Sequence, residues 1–136
     1  MNTIGMVCAV TTFLGVWLGH VAVRWIEPRA VSIRLPAVGF AVCGLILEIS
    51  ALVSSTPAIS AALGILGMTT LWDAVEINRQ QKRVITGRAP ANPANPRHAR
   101  ILSEHPAATM MRWLEREPLG RPLSTEEISA ILEAAR

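Results

Sequence analysis

Three apolar runs, at about 4–26, 35–53 and 57–77, constrain this chain more than any other feature. Each is long enough, at 1.5 Å of rise per residue, to carry an α-helix across ~30 Å of hydrocarbon. A core helix of a water-soluble domain is usually shorter and keeps one polar face. None of the three runs has such a face. They predict an all-α protein: an integral membrane three-helix bundle followed by a short helical cytoplasmic tail. A cleaved signal peptide fits the first run poorly, because no basic segment precedes it, the run is long, and two more spans follow.

The charge is divided as unevenly as the hydropathy. Residues 1–78 contain Arg24, Arg29 and Arg34 against Glu27, Glu48, Asp73 and Glu76, which leaves ten of the chain's 13 Lys and Arg for the remainder. The expected organisation is therefore a membrane domain over 1–78, a basic, Pro-rich juxtamembrane linker over 79–100, and a helical tail over 101–136. Lys and Arg are concentrated in cytoplasmic loops of membrane proteins. The first loop carries three Arg, the second loop "SSTPA" is uncharged, and Arg79, Lys82, Arg83, Arg88, Arg97 and Arg100 follow the third span. This alternation predicts a multi-pass protein with its N-terminus outside and its C-terminus in the cytoplasm. Trp25 and Trp72 then fall at the same interface, where Trp is favoured. The basic segment reads as a stop-transfer signal that also meets anionic lipid. Without interleaved aromatics or a nucleic-acid motif, no nucleic-acid partner is expected.

Helices associate in lipid through close backbone contact, so their interfaces collect small residues. The first span has Gly5, Cys8, Thr12, Gly15, Gly19 and Ala22 at steps of three and four, including a GxxxG. The second has Ala37, Ala41, Gly44, Ala51 and Ser55, and the third Ser60, Gly64, Gly67 and Ala74. Glu48 lies on the small stripe of the second span. A carboxyl at that depth is costly and often marks an ion path. It is a candidate intramembrane polar or proton site, with a hydrogen bond to a nearby Ser or Thr and a contact with a partner subunit as the structural readings. A second candidate is an interfacial polar cluster of His20, Arg24, Asp73 and Glu76, joined by Glu27 and Arg79. If spans one and three touch, Arg24 can pair with Asp73 or Glu76. The alternative is a ring of charges snorkelling to the interface.

The segments "TTFLGVWLGHVAVRWIE" and "LGILGMTTLWDAVEINRQQKRVITGRAPANP" resemble a family of small prokaryotic membrane proteins catalogued as a domain of unknown function. The resemblance covers about residues 1–98. It rests on His20 closing span one, on Gly64, Gly67 and Trp72 in span three, and most specifically on Gln80, Lys82, Arg83, Val84, Gly87, Pro90, Asn92 and Pro93. The chain departs from the family pattern at Val21, where a Pro follows the His, and at Arg88 and Ala89, where Trp-Phe is usual. The resemblance implies a three-span architecture and carries no activity with it.

In the tail, the Pro at every third residue of "APANPANP" predicts a stiff, extended spacer. Pro106 suits the start of a helix, with Ala107, Met110, Met111 and Leu114 as its apolar stripe and Trp113 at the flank. Met110, Met111, Trp113 and Leu114 are a candidate partner-docking face. A second helix should begin at the capping box Ser124/Glu127 and present Ile128, Ile131, Leu132 and Ala135.

No catalytic constellation, metal-ligand spacing or phosphate-binding loop is present in the sequence, so neither enzymatic activity nor a cofactor is expected. Cys8 and Cys43 read as small apolar packing residues within spans. The function expected is that of a non-catalytic accessory or structural subunit of a larger membrane complex in the prokaryotic cytoplasmic membrane. Its partners would be lipids and other membrane subunits or copies of itself. The alternative is a component of an ion- or proton-translocating, redox or hydrogenase-like complex with Glu48 in the path.

Overall fold

The computed structural model describes residues 3–112 and 123–135. Its helices are α1 (Ile4–Ile26), α2 (Arg34–Val53), α3 (Pro57–Ile85), α4 (Pro96–Glu104) and α5 (Thr125–Ala134). No strand occurs among the described residues. The chain divides into two compact units, Met1–Arg79 and Gln80–Arg136.

In the first unit, α1, α2 and α3 are each long and apolar enough to cross a membrane. The protein is thus the all-helical membrane bundle that the apolar runs predict. The helices meet where side chains are smallest. A Cβ on Gly15 of α1 would lie 2.9 Å from Thr69 Oγ1 and 3.3 Å from Leu66 Cδ2 of α3. One turn later, a Cβ on Gly19 would collide with the Asp73 carboxylate. On the other side of α3, a Cβ on Gly44 of α2 would lie 2.7 Å from Leu71 Cγ and 2.9 Å from the Gly67 carbonyl oxygen. The contacts climb α2 as they descend α3, from Gly44 on Leu71 through Glu48 on Gly67 to Ala51 on Gly64, so these helices run antiparallel. Ser60 closes the series by donating its hydroxyl to the Ala51 carbonyl at 2.8 Å. Only Gly5 and Gly39 among the glycines of the spans meet nothing within 4 Å. At the loop end of α1, Val23, Ile33 and Ile77 form a small apolar core with Ile26, Ala37 and Phe40 against it.

α3 runs eight residues beyond the expected span. Residues 78–85, "NRQQKRVI", are mostly good helix formers and offer no break. The helix ends in a Schellman motif, in which the backbone closes two hydrogen bonds around a left-handed residue. Arg88 N–H donates to the Arg83 carbonyl at 2.7 Å and Gly87 N–H to the Val84 carbonyl at 3.1 Å. Gly87 has φ +70°, and a Cβ there would also strike the Ala107 carbonyl oxygen.

The second unit departs from the expected stiff spacer and from a helix starting at Pro106. The Pro-rich stretch folds back: Ala91 N–H donates to the Thr109 carbonyl at 2.9 Å, and Asn95 N–H to the Asn92 carbonyl at 3.0 Å. α4 then begins at Pro96, with the Asn95 side chain as its N-cap accepting the Arg97 N–H at 2.9 Å. An Asn cap followed by Pro in the first turn is a strong helix start. It outweighs the extended bias that regularly spaced prolines suggest. Residues 105–112 contain no helix. Val84, Ala89, Ala91, Ile101 and Ala108 form the core, with Ile85 and Leu102 packed on it. α5 starts at the expected capping box: Ser124 accepts the Glu127 N–H at 3.2 Å, and Glu127 accepts the Ser124 N–H at 2.9 Å. None of its residues is buried.

Candidate functional site

Span one and span three touch, so the polar residues expected on their facing sides are brought together. Asp73 is only 7% exposed and lies over Gly19, on the side that a larger residue would fill. Among the described residues it makes no hydrogen bond and no ion pair. His20 and Glu76 are the ionisable neighbours that act on it. A cleft of about 270 Å³ opens beside it, lined by Val16, His20, Met68, Thr69, Trp72 and Asp73. A second cleft on the other side of Asp73 is lined by Gly15, Gly19, Phe40, Leu66 and Thr70 among others. One buried carboxylate therefore faces two openings in an otherwise apolar wall.

The rest of the interfacial set is arranged differently from the expected pairing. Arg24 is exposed and pairs with neither Asp73 nor Glu76. Glu76, buried at 3% exposure, faces Arg79 of its own helix at 3.9 Å. Arg79 in turn lies over the Trp72 ring, 4.7 Å from its centroid. A second such stack sits at the end of α1: Arg29, in the turn that follows the helix, lies 4.5 Å over the Trp25 ring and donates to the Trp25 carbonyl at 2.7 Å. Contacts of this kind contribute roughly 0.5–1 kcal/mol when exposed. Glu27, just past the end of α1, is 1% exposed.

Glu48 lies on α2 with its side chain against Gly67. A Cβ at Gly67 would come within 2.7 Å of Glu48 Oε1 and 3.0 Å of Cγ and Cδ. The glycine thus provides the room in which the carboxyl lies along α3. Oε1 is buried and accepts no hydrogen bond. The hydroxyls of Ser50, Ser60 and Thr69 donate instead to the backbone carbonyls of Ile46, Ala51 and Leu66. A buried polar atom left unpaired costs about 1–3 kcal/mol.

The signature over residues 80–93 has a structural account. Val84 is fully buried in the core of the second unit, and Gly87 is the left-handed residue that ends α3. Gln80 accepts from Arg83 at 2.8 Å, and the Arg83 carbonyl receives the Arg88 and Ala89 N–H groups. Asn92 accepts the Ala94 N–H at 3.2 Å, while its own N–H donates to His98 Nδ1 at 2.9 Å. Lys82, Pro90 and Pro93 are exposed. Sequence reasoning missed His98, 0% exposed, and Thr109, 1% exposed, which lie inside this unit. The available signal was the Asn-Pro cap, which puts His98 on the inner side of α4.

The candidate docking face is divided. Met110 and Met111 are half-buried outside any helix, and Met110 N–H donates to the Ala135 carbonyl at 3.2 Å. Trp113 and Leu114 lie outside the described residues. No group of three His, Cys, Asp or Glu placed to hold a metal ion occurs among the described residues.

A family model described as "Domain of unknown function (DUF4491)" matches residues 2–95. That range ends within the turn that leads into α4. Comparison with curated proteins and with solved structures gives no match.

Proposed function

We propose, from the premise that the chain belongs to the DUF4491 family, that it is a small non-catalytic accessory subunit of a larger membrane complex. The observation that carries this reading is how the spans use their small residues. Gly15, Gly19, Gly44 and Gly67 are spent on contacts within the bundle. The apolar windows of the spans are nonetheless only 17%, 11% and 11% buried. Such a bundle is a compact insert with nearly all of its apolar side-chain surface directed outward, towards lipid and neighbouring helices. On this reading the protein lies in a prokaryotic cytoplasmic membrane, with the basic segment after span three on the cytoplasmic side as the Lys and Arg bias predicts.

The test is mild-detergent extraction of the tagged native protein, followed by a native gel and mass spectrometry of what comigrates. The expected result is a stoichiometric complex much larger than the 14.7 kDa chain. A lone chain or a homo-oligomer overturns the subunit reading. Orientation is read separately from reporter fusions at residues 55 and 136.

One observation favours a second reading, in which the protein is a component of a proton- or ion-translocating complex. Glu48 Oε1 is buried without a hydrogen-bond partner, and intramembrane acids of that kind serve as proton relays. Under this reading Glu48→Gln leaves the complex assembled and slows its coupled ion movement severalfold. Normal coupling in the assembled variant removes Glu48 from any path.

A further inference from the structure

The cleft beside Asp73 has a composition that selects among ligands. Its walls are Val16, Met68 and the Trp72 ring, and its polar groups are Asp73, His20 and Thr69. Asp73 is more than nine-tenths buried as a residue, its carboxylate reaches the cleft, and it makes no hydrogen bond or ion pair among the described residues. Thr69 has already committed its one proton to the Leu66 carbonyl at 3.0 Å, so its oxygen is left with lone pairs only. His20 lines the same cleft. The site thus presents a carboxylate and a hydroxyl oxygen as acceptors in a largely apolar surround.

A hard metal ion fits this poorly, since Ca²⁺ and Mg²⁺ require about six oxygen ligands. A primary ammonium fits well. It carries three donors and no acceptor, its charge is compensated by one carboxylate, and its carbon stem matches the apolar walls. Asp73 lies four residues before Ile77, ~6 Å from the end of the expected span at 1.5 Å per residue. That depth is within reach of an amine at the headgroup boundary. We propose that the cleft between α1 and α3 binds a primary ammonium on an apolar stem, with Asp73 as its counter-ion and Thr69 as a further acceptor. The source is either a free amphiphilic amine or the ammonium of an ethanolamine lipid. This proposal is independent of the subunit reading.

Trp72 lines the cleft and reports on it. The full chain carrying Trp17→Phe, Trp25→Phe and Trp113→Phe retains Trp72 as its only Trp. It is placed in phosphatidylcholine nanodiscs and titrated with dodecylamine, dodecyltrimethylammonium and dodecanol. Dodecylamine is expected to half-saturate the Trp72 signal at a concentration about tenfold lower than the other two, as charge-assisted hydrogen bonds require. Asp73→Asn removes that preference. Should that variant fail to fold, Thr69→Val removes one acceptor while preserving volume, and it raises the dodecylamine half-saturation about threefold. Equal half-saturation for all three probes overturns the proposal. So does a preference that survives Asp73→Asn, or one that is unchanged in Thr69→Val. Exchanging the lipid for phosphatidylethanolamine identifies the source: competition with dodecylamine assigns the site to the lipid headgroup, and unchanged binding assigns it to a free amine.

Discussion

Gly15, Gly19, Gly44 and Gly67 join the helices of the membrane unit by what they lack, whereas the unit beginning at Gln80 is held by what its polar side chains donate and accept. In the first case the partners are a hydroxyl, two leucines, two carboxyls and a stretch of backbone, each lying where a Cβ would otherwise stand. In the second, Asn95, His98 and Thr109 are nearly or wholly buried among small apolar residues and fix a chain with few regular hydrogen bonds. The difference follows from the solvent. In lipid, apolar side chains gain nothing by meeting one another, so closeness of backbones decides. In water a unit of fewer than 60 residues buries little apolar area, and its irregular backbone needs partners for its polar groups.

The sharpest way to break the comparison is to give each unit the other's residue. Gly87→Val should be the most damaging change: it forces a β-branched residue to positive φ and into the Ala107 carbonyl, at a cost of about 3 kcal/mol or more. Limited proteolysis in nanodiscs should then cut within 80–112 while the spans stay protected. Loss of the spans as well would show the two units to be one cooperative structure. Next comes Gly44→Leu, which drives side-chain atoms into Leu71 and the Gly67 backbone. It should cost about 2 kcal/mol or more, read as a lowered unfolding midpoint of the detergent-solubilised protein. An unchanged midpoint would mean that α2 is not held against α3 through this contact.

Asn95→Ala is expected to cost about 1 kcal/mol through loss of the α4 cap. Its signature is faster amide exchange at residues 97–99 with none at α1–α3. The smallest effect belongs to Ser124→Ala, at roughly 0.5–1 kcal/mol. Because α5 buries none of its residues, circular dichroism should show a loss of helix without a shift in the main transition.

Sequence reasoning succeeded where one residue type decides and stopped where geometry does. The spans were legible because length and apolarity suffice in lipid, and the capping box because Ser124 and Glu127 are only three residues apart. The small stripes were legible as stripes, but not which glycine receives which carboxyl, since that depends on helix register. The 79–100 segment misled because proline spacing was weighed above the Asn caps beside the prolines. For His98 the sign was the Asn95-Pro96 helix start, but Thr109 gave no sign of burial: such a polar residue is drawn inside only once the turn at Gly87 has brought distant segments together. For the candidate site, His20 and Asp73 were identified together by their places on two helices. The freedom of Asp73 from Arg24 was not, because both lie on faces that any simple wheel would pair.

The two Arg–Trp stacks, Arg29 on Trp25 and Arg79 on Trp72, lie at the same end of the bundle. Among the described residues the opposite rim, around the "SSTPA" turn, carries neither a Trp nor a basic residue, and Leu52 and Val53 there are 86% and 79% exposed. Such a bundle is moored on one side only. In a thinner or thicker bilayer the stacked end should hold its depth and the bare rim take up the mismatch, so lipid chain length becomes a means of moving one end of this protein without the other.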